Sequence, residues 1–326
     1  MKLLMPTKLE FMKATLPYAQ LIRFNKPIGV IIIFFPYAYG SIFACIAQPT
    51  VTRNKSLLEP LILFLGTFLL RSWACAINDI ADRDLDKMVS RCNQRPMARG
   101  AITVRNAYTF TAIPFLAWFC VMKTCFPGFL FYGIPLSALV AVYPYTKRVT
   151  FYTPVFLGIT FAWGSLVGCA AMGVDPIQLI QTKPSTSGAG LLSVFCYHVI
   201  WTVIFETVYA FQDIEDDTKA GIKSMAIRYR HHSKLWLGGF GVMQVMILVL
   251  LGYSIEASGV YYLGAPVLNA ILLMWMIGGV NLKSPEECGW WFANGPLVVG
   301  LSMSATLLWE CTTRAEKLNQ AGSKID

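Results

Sequence analysis

The segment Asn78-Asp79-Ile80-Ala81-Asp82-Arg83-Asp84-Leu85-Asp86 closes a long apolar run. Read as helix, Asp79, Asp82 and Asp86 stand at i, i+3 and i+7, so three carboxylates share one face. Bare carboxylates crowded that closely repel, and each raises its neighbours' pKa. A hard divalent cation removes the conflict, and Mg²⁺ favours a few carboxylates with waters and the phosphates of a substrate. Basic residues follow at once: Arg83, Lys87, Arg91, Arg95 and Arg99. A metal platform beside guanidinium forks is chemistry for a diphosphate. The plain alternative is a solvated charged loop that ends a membrane helix.

A second copy shifts the balance. Gln212-Asp213-Ile214-Glu215-Asp216-Asp217 aligns with Asn78-Asp79-Ile80-Ala81-Asp82-Arg83 and also ends an apolar run, Val199 to Phe211. Lys219, Lys223, Arg228 and Arg230 follow it. Two acidic clusters, each at the exit of a hydrophobic helix, predict two pseudo-repeated halves facing each other across one site.

The elements that must position these clusters are membrane helices. Hydrophobic residues make up 56% of the chain and charged residues 14%, against about 25% charge in ordinary soluble domains. Mean hydropathy is +0.54. Apolar runs near the ~20 residues that span a bilayer predict an all-α membrane protein in which one polytopic domain fills residues 1–326. Nine spans are expected, at 27–47, 58–78, 106–122, 126–144, 151–173, 190–212, 235–253, 261–281 and 291–310. They put both acidic clusters on one side, which collects 19 of the 27 Lys and Arg, against 7 on the other, with Arg71 inside a span. That bias assigns the clusters to the cytosolic face.

The net charge of +9 follows these loops and does not signal nucleic-acid binding. Asn54-Lys55-Ser56 is a glycosylation sequon in a loop expected on the lumenal side. The nine cysteines lie mostly in apolar runs without metal-type spacing, and His198, His231 and His232 form no cluster. Residues 1–24 show neither a cleaved secretory signal nor an Arg-rich mitochondrial presequence, so an endomembrane such as the endoplasmic reticulum is expected. Residues 174–190 read as a Pro/Ser/Gly-rich linker, and the stretch after 312 as a polar, frayed tail.

Two charges fall at membrane depth. Arg71 lies seven residues before Asn78 and Glu206 seven before Asp213, on the stripe that carries Tyr209. They read either as a buried pair that only orients helices, or as a polar floor beneath the metal site that receives an acidic or phenolic acceptor. Tyr143-Pro144-Tyr145-Thr146-Lys147-Arg148 forms a third loop on the same side, whose aromatics suit interfacial anchoring and whose basic pair suits phosphate. Aromatic side chains such as Phe34, Phe161 and Trp201 supply ring faces that could shield an allylic cation.

With these residues in view, the chain resembles the UbiA-type intramembrane aromatic prenyltransferases, in their 4-hydroxybenzoate polyprenyltransferase branch. The resemblance rests on Arg23-Phe24-Asn25-Lys26-Pro27-Ile28-Gly29, the Asn78–Asp86 motif, Arg91-x-x-x-Arg95-Pro96 and Tyr143-Pro144-Tyr145-x-Lys147-Arg148. Tyr209-Ala210-x-x-Asp213-x-x-x-Asp217 and Gly221-Ile222-Lys223-Ser224 complete it. It implies nine helices around a central cavity open to lipid, in the UbiA prenyltransferase fold. It further implies Mg²⁺ held by Asn78, Asp79, Asp82, Asp86, Asp213 and Asp217, with Asp216 assisting. Arg91, Arg95, Lys147 and Lys223 would hold a prenyl diphosphate, and Arg71 and Arg148 would face the aromatic acid, with Tyr143 and Tyr209 beside the substrates. Asp79, Asp82, Asp213 and Asp217 would serve ionisation of the donor, and Glu206 or the released diphosphate would take the ring proton.

Asn25 stands where the family often has Asp, and Glu206 where bacterial members commonly have Asp. These departures suggest a fungal relative of meroterpenoid biosynthesis that moves a farnesyl group from farnesyl diphosphate onto a polyketide-derived phenolic acid. The competing reading is the 4-hydroxybenzoate enzyme of ubiquinone synthesis. A secondary transporter would explain Arg71 and Glu206 as an ion relay but leaves two metal-type motifs without a purpose. The Asp-Gly-x-x-Ala-Arg opening of CDP-alcohol phosphotransferases is missing from the sequence.

Overall fold

A computed structural model describes residues 8–52, 55 and 58–322. Among them, nine helices are long and apolar enough to cross a membrane, and no strand occurs. They are α1 (Ile28–Ala47), α2 (Leu58–Ala81), α3 (Val104–Cys125), α4 (Phe129–Val149) and α5 (Thr153–Ala171). After these come α6 (Ser187–Ala210), α7 (Ser233–Ser254), α8 (Gly259–Gly279) and α9 (Pro285–Gly322). The nine expected spans correspond one to one. A further helix, Lys8–Leu21, precedes them and rests on α2.

α5 is the axis of the bundle, with α1 and α6 packed along it. Lipid tails are as apolar as leucine, so helices in a bilayer associate through close backbone approach and dispersion rather than the hydrophobic effect. Glycine permits that approach here. A Cβ on Gly168 would strike the Tyr37 carbonyl of α1, one on Gly40 the Ser165 carbonyl of α5, and one on Gly158 would lie 2.8 Å from the Val199 carbonyl of α6. α6 is buried around much of its circumference, including Tyr197, Trp201, Ile204 and Phe205. It can therefore carry the second acidic cluster from the bundle centre to the membrane surface.

Helix ends depart from the expected boundaries for local reasons. α2 stops at Ala81, Asp82 takes φ −91° and ψ 6°, and a separate short helix, Arg83–Asp86, follows. The Tyr143–Arg148 segment is not a loop, because α4 runs through Pro144 to Val149. The 174–190 linker contains a helix, Pro176–Thr182. Asp175 caps it by accepting from Ile177 N and Gln178 N at 2.9 and 3.0 Å, and Pro176 supplies a first-turn residue that needs no donor. The tail does not fray at 312. α9 continues to Gly322, with Arg314 bonded to Glu310 one turn earlier at 3.2 Å. Residues 1–7 and 323–326, with Asn54 and Ser56 of the sequon, lie outside the described residues.

Gly168→Leu forces α1 and α5 apart and should cost about 1–3 kcal/mol. The expected outcome is a melting temperature lowered by several degrees in detergent, read by a thiol-reactive dye or by loss of the monodisperse peak.

Candidate active site

Beyond the end of α2 the four-residue hydrogen-bond pattern persists. Asp82 N still bonds Asn78 O at 2.8 Å, and Asp86 N bonds Asp82 O at 2.8 Å. Asn78, Asp82 and Asp86 therefore follow one another at i, i+4 and i+8 along one face. On the other half, Tyr209, Asp213 and Asp217 repeat that spacing. All six line one cavity of about 230 Å³, together with Arg91, Arg95, Tyr143, Lys147, Glu206 and Lys223. The repeat register that matters thus pairs Asn78 with Tyr209, not with Gln212. The signal was present as the matched four-residue spacing in the two clusters.

Two further cavities adjoin this one. The first, about 430 Å³, is lined by Arg23, Asn25, Lys26 and Arg71, by Arg91, Arg95, Glu206 and Tyr209, and by Phe161, Phe205 and Phe292. The second, about 230 Å³, lies between α1, α2, α4 and α5 and carries Ile33, Ala74, Val140, Leu157, Thr160 and Phe161 beneath Arg71, Asn78 and Tyr143. Arg95 and Glu206 border all three cavities. They form one branched chamber with an acidic and basic head, a basic side arm and an apolar branch.

Cations and carboxylates alternate at the head. Arg91 grips Asp213 through Nε at 3.0 Å and Nη2 at 2.5 Å, and its guanidinium lies 4.9 Å from the Tyr209 ring centre. Arg95 donates to both oxygens of Asp86 at 2.9 and 3.0 Å. Lys147 bonds Asp82 Oδ2 at 2.7 Å. Lys223 is held by its backbone N–H to Lys147 O at 3.0 Å, which ties the second half to α4. Burial pushes the Asp86 carboxyl above its ordinary range despite the Arg95 guanidinium. In the side arm, burial and then the charges of Arg23, Arg91 and Arg95 lower the Lys26 ammonium. These groups sit in a medium where a charge is strong only when something answers it.

The residues present fit a divalent cation. Asn78 Oδ1 and Asp82 Oδ1 are buried acceptors with no hydrogen-bond donor, although Arg148 Nη2 stands 3.8 Å from Asp82 Oδ1, and such acceptors leave room for a further positive group. Asp217 has no ion pair among the described residues. No trio of described His, Cys, Asp or Glu side chains converges tightly enough to cage a metal alone. Mg²⁺ suits so open a set, because it keeps waters and completes its shell with phosphate oxygens.

Three expected site residues stand elsewhere. Asp79 is fully buried and lines none of the cavities; Arg23 holds both its oxygens, at 2.6 and 3.0 Å. Asp216 accepts from Ser90 N at 2.8 Å and borders a separate cleft with Arg230 and Lys283. Arg148 caps the Ala81 carbonyl at 2.6 Å and so fixes the end of α2 rather than facing an acceptor. The remaining residues, Asn25 and Arg71 among them, do line the chamber. Arg71 and Glu206 form no ion pair. Arg71 donates instead to the Lys26 and Arg23 carbonyls at 2.9 and 3.4 Å. Glu206 has no hydrogen-bond partner among the described residues and faces the junction of the three branches. Sequence reasoning missed Phe292 of α9, whose ring lies 3.9 Å from that of Tyr209. No local pattern distinguishes it from other aromatic residues in membrane helices.

A family model described as the UbiA prenyltransferase family matches residues 33–302. The 4-hydroxybenzoate polyprenyltransferase, mitochondrial, of Drosophila pseudoobscura pseudoobscura is 33% identical over 279 residues, which cover 86% of this chain and 66% of that protein. The chain therefore spans about two thirds of that relative's length. A UbiA homolog from Aeropyrum pernix K1 superposes with a TM-score of 0.69 at 19% identity, over 85% of this chain and 96% of that one. A UbiA homolog from Archaeoglobus fulgidus bound to GPP and Mg²⁺ gives 0.62 at 18% identity, over 89% and 99%. At these identities the structural likeness is one of fold.

Asp82→Ala and Asp217→Ala each remove a carboxylate from the head of the chamber. Each should reduce turnover by about 10²-fold or more while melting temperature stays within a few degrees of the parent, as read by product formation in purified protein.

Proposed function

The chain belongs to the UbiA prenyltransferase family, and from that premise we propose that it alkylates a ring carbon of a hydroxybenzoate-class acid with a prenyl diphosphate. The observation that carries this reading is the single branched chamber whose head offers paired carboxylates and cations and whose floor is apolar. In this reading one domain occupies the whole chain.

Asn78, Asp82, Asp86, Asp213 and Asp217 would hold Mg²⁺, which when bound offsets charge on the departing diphosphate. Arg91, Arg95, Lys147 and Lys223 border the same space and bind the diphosphate oxygens, which lowers the barrier to breaking the allylic C–O bond. Ile33, Val140, Leu157 and Phe161 exclude water from the carbon chain, so the cation meets the ring before it meets hydroxide. The aromatic acid enters the side arm, where Lys26 and Arg71 supply positive charge for its carboxylate. The ring carbon ortho to the phenol forms the new C–C bond, and the displaced ring proton passes to the Glu206 carboxylate at the junction. Tyr209 and Phe292 cover that junction.

The relative's name supports 4-hydroxybenzoate as the acceptor. The second reading is farnesyl transfer to a polyketide-derived phenolic acid in meroterpenoid biosynthesis. It is favoured by Asn25 and Glu206, which both border the side arm. Nine spans and family membership make the protein a multi-pass membrane protein. Its relative's name favours a mitochondrial membrane over the endoplasmic reticulum expected from sequence, and the charge bias puts the site on the basic face.

Purified protein with Mg²⁺ should prenylate an acceptor when offered geranyl, farnesyl and geranylgeranyl diphosphates with 4-hydroxybenzoate or a methylated orsellinic acid, with products read by mass spectrometry. Product from 4-hydroxybenzoate supports the first reading, and farnesylated orsellinic acid alone supports the second. No product from any pairing sinks both. EDTA should abolish turnover, and excess Mg²⁺ should restore it.

A further inference from the structure

The N-terminal turn Arg23–Lys26 forms a wall of the chamber's side arm through Arg23, Asn25 and Lys26. Its backbone is strained: Arg23 has φ +56°, a left-handed conformation that a side chain with a Cβ rarely adopts. Such a residue persists where its surroundings over-determine it. Here they do so from three directions. The Arg23 carbonyl accepts from Lys26 N at 2.9 Å and from Arg71 Nη1 at 3.4 Å. The Lys26 carbonyl accepts from Arg71 Nη2 at 2.9 Å. The Arg23 side chain grips Asp79 by both terminal nitrogens and also donates to Gln20 O at 3.2 Å.

Asp79 is the fixed end of that brace. It lies on α2 one residue beyond Asn78, about 100° further round the helix. It therefore points at the turn while Asn78, Asp82 and Asp86 point into the head of the chamber. It is fully buried and reaches none of the three cavities. Its link to the head is a long 3.5 Å contact with Arg95, which bonds Asp86 at 2.9 Å.

We propose that Asp79 is a positioning residue. Through Arg23 it fixes the 23–26 turn as the acceptor-side wall, and it is not a ligand of the metal. The turn thereby sets the position of Asn25 and Lys26 toward the aromatic acid. Replacing Asp79 should loosen the wall and leave the metal-binding face of α2 in place.

The test compares Arg23→Gln, Asp79→Asn, the double variant and Asp82→Asn with the parent protein in nanodiscs. Hydrogen–deuterium exchange reports the turn. Amides 22–27 should exchange faster in Arg23→Gln, Asp79→Asn and the double variant, and at the parental rate in Asp82→Asn. Mn²⁺ titrated in the presence of geranyl thiolodiphosphate and followed by electron paramagnetic resonance reports the metal. Asp79→Asn should bind it within about twofold of the parent, and Asp82→Asn about tenfold or more weaker. Where turnover is measured, Asp79→Asn should raise the acceptor KM about tenfold with little change in donor KM. The double variant should be no worse than either single one, because both act through one contact. Mn²⁺ affinity lost in Asp79→Asn as in Asp82→Asn, unchanged exchange at 22–27, or multiplying effects in the double variant would each overturn the proposal. The KM and Mn²⁺ readings rest on the prenyl-transfer reading, whereas the exchange reading does not, so failure of one is distinguishable from failure of the other.

Discussion

Everything at the head of the chamber depends on carboxylates and cations answering one another where bilayer meets protein. Asp79, Asp82 and Asp86 are all buried, and an ionised carboxylate in such surroundings is costly unless it is paired. Arg23, Lys147 and Arg95 meet them from three separate parts of the chain, and Arg91 meets Asp213 across the pseudo-repeat. Such pairs add little net stability, since desolvation offsets most of the attraction. Their contribution is alignment. These pairs tie the ends of α2, α4 and α6 to one another and to the segment after α2.

The same lattice explains how a polar site survives on an apolar scaffold. Around α5 the helices touch through glycines and backbone, so little free space remains at depth. The branched chamber opens where the helix ends carry polar side chains. Depth and chemistry are therefore graded together. The aliphatic and aromatic branch lies under Arg71 and Asn78, and the charged head is built from the last turns of α2, α4 and α6 and the segments that follow α2 and α6. The chamber thus runs from a charged end outward to an apolar end inward.

The nine spans were legible in the sequence because length and hydropathy alone set them, and a bilayer admits few alternatives to helix. The acidic residues were conspicuous by type, yet the structure groups them differently from the expected face. Reading one face at i, i+3 and i+7 placed Asp79 with Asp82 and Asp86, whereas four-residue backbone hydrogen bonds run on through Asp82 and Asp86 and the chamber collects Asn78, Asp82 and Asp86. Arg71 was legible as a buried charge needing a partner, but its partners are backbone carbonyls of a turn, which no pairing of charged residues reveals. The turn itself was hidden, since a left-handed arginine has no compositional signature. Phe292 lay too far along the chain for any local pattern to connect it with Tyr209.

That last contact has a consequence for how the protein is made. Tyr209 belongs to α6, but the ring that lies against it belongs to α9, 83 residues further along, while the opposite wall comes from residues 23–26, ahead of α1. The chamber is thus closed by segments that precede and follow the helices carrying the two acidic clusters. A nascent chain halted before α9 would carry the complete acidic and basic machinery yet have one side of its reaction space open to lipid and headgroup water. The enclosed chamber would arrive only once α9 has inserted, so its closure would lag behind synthesis of the charged residues at its head.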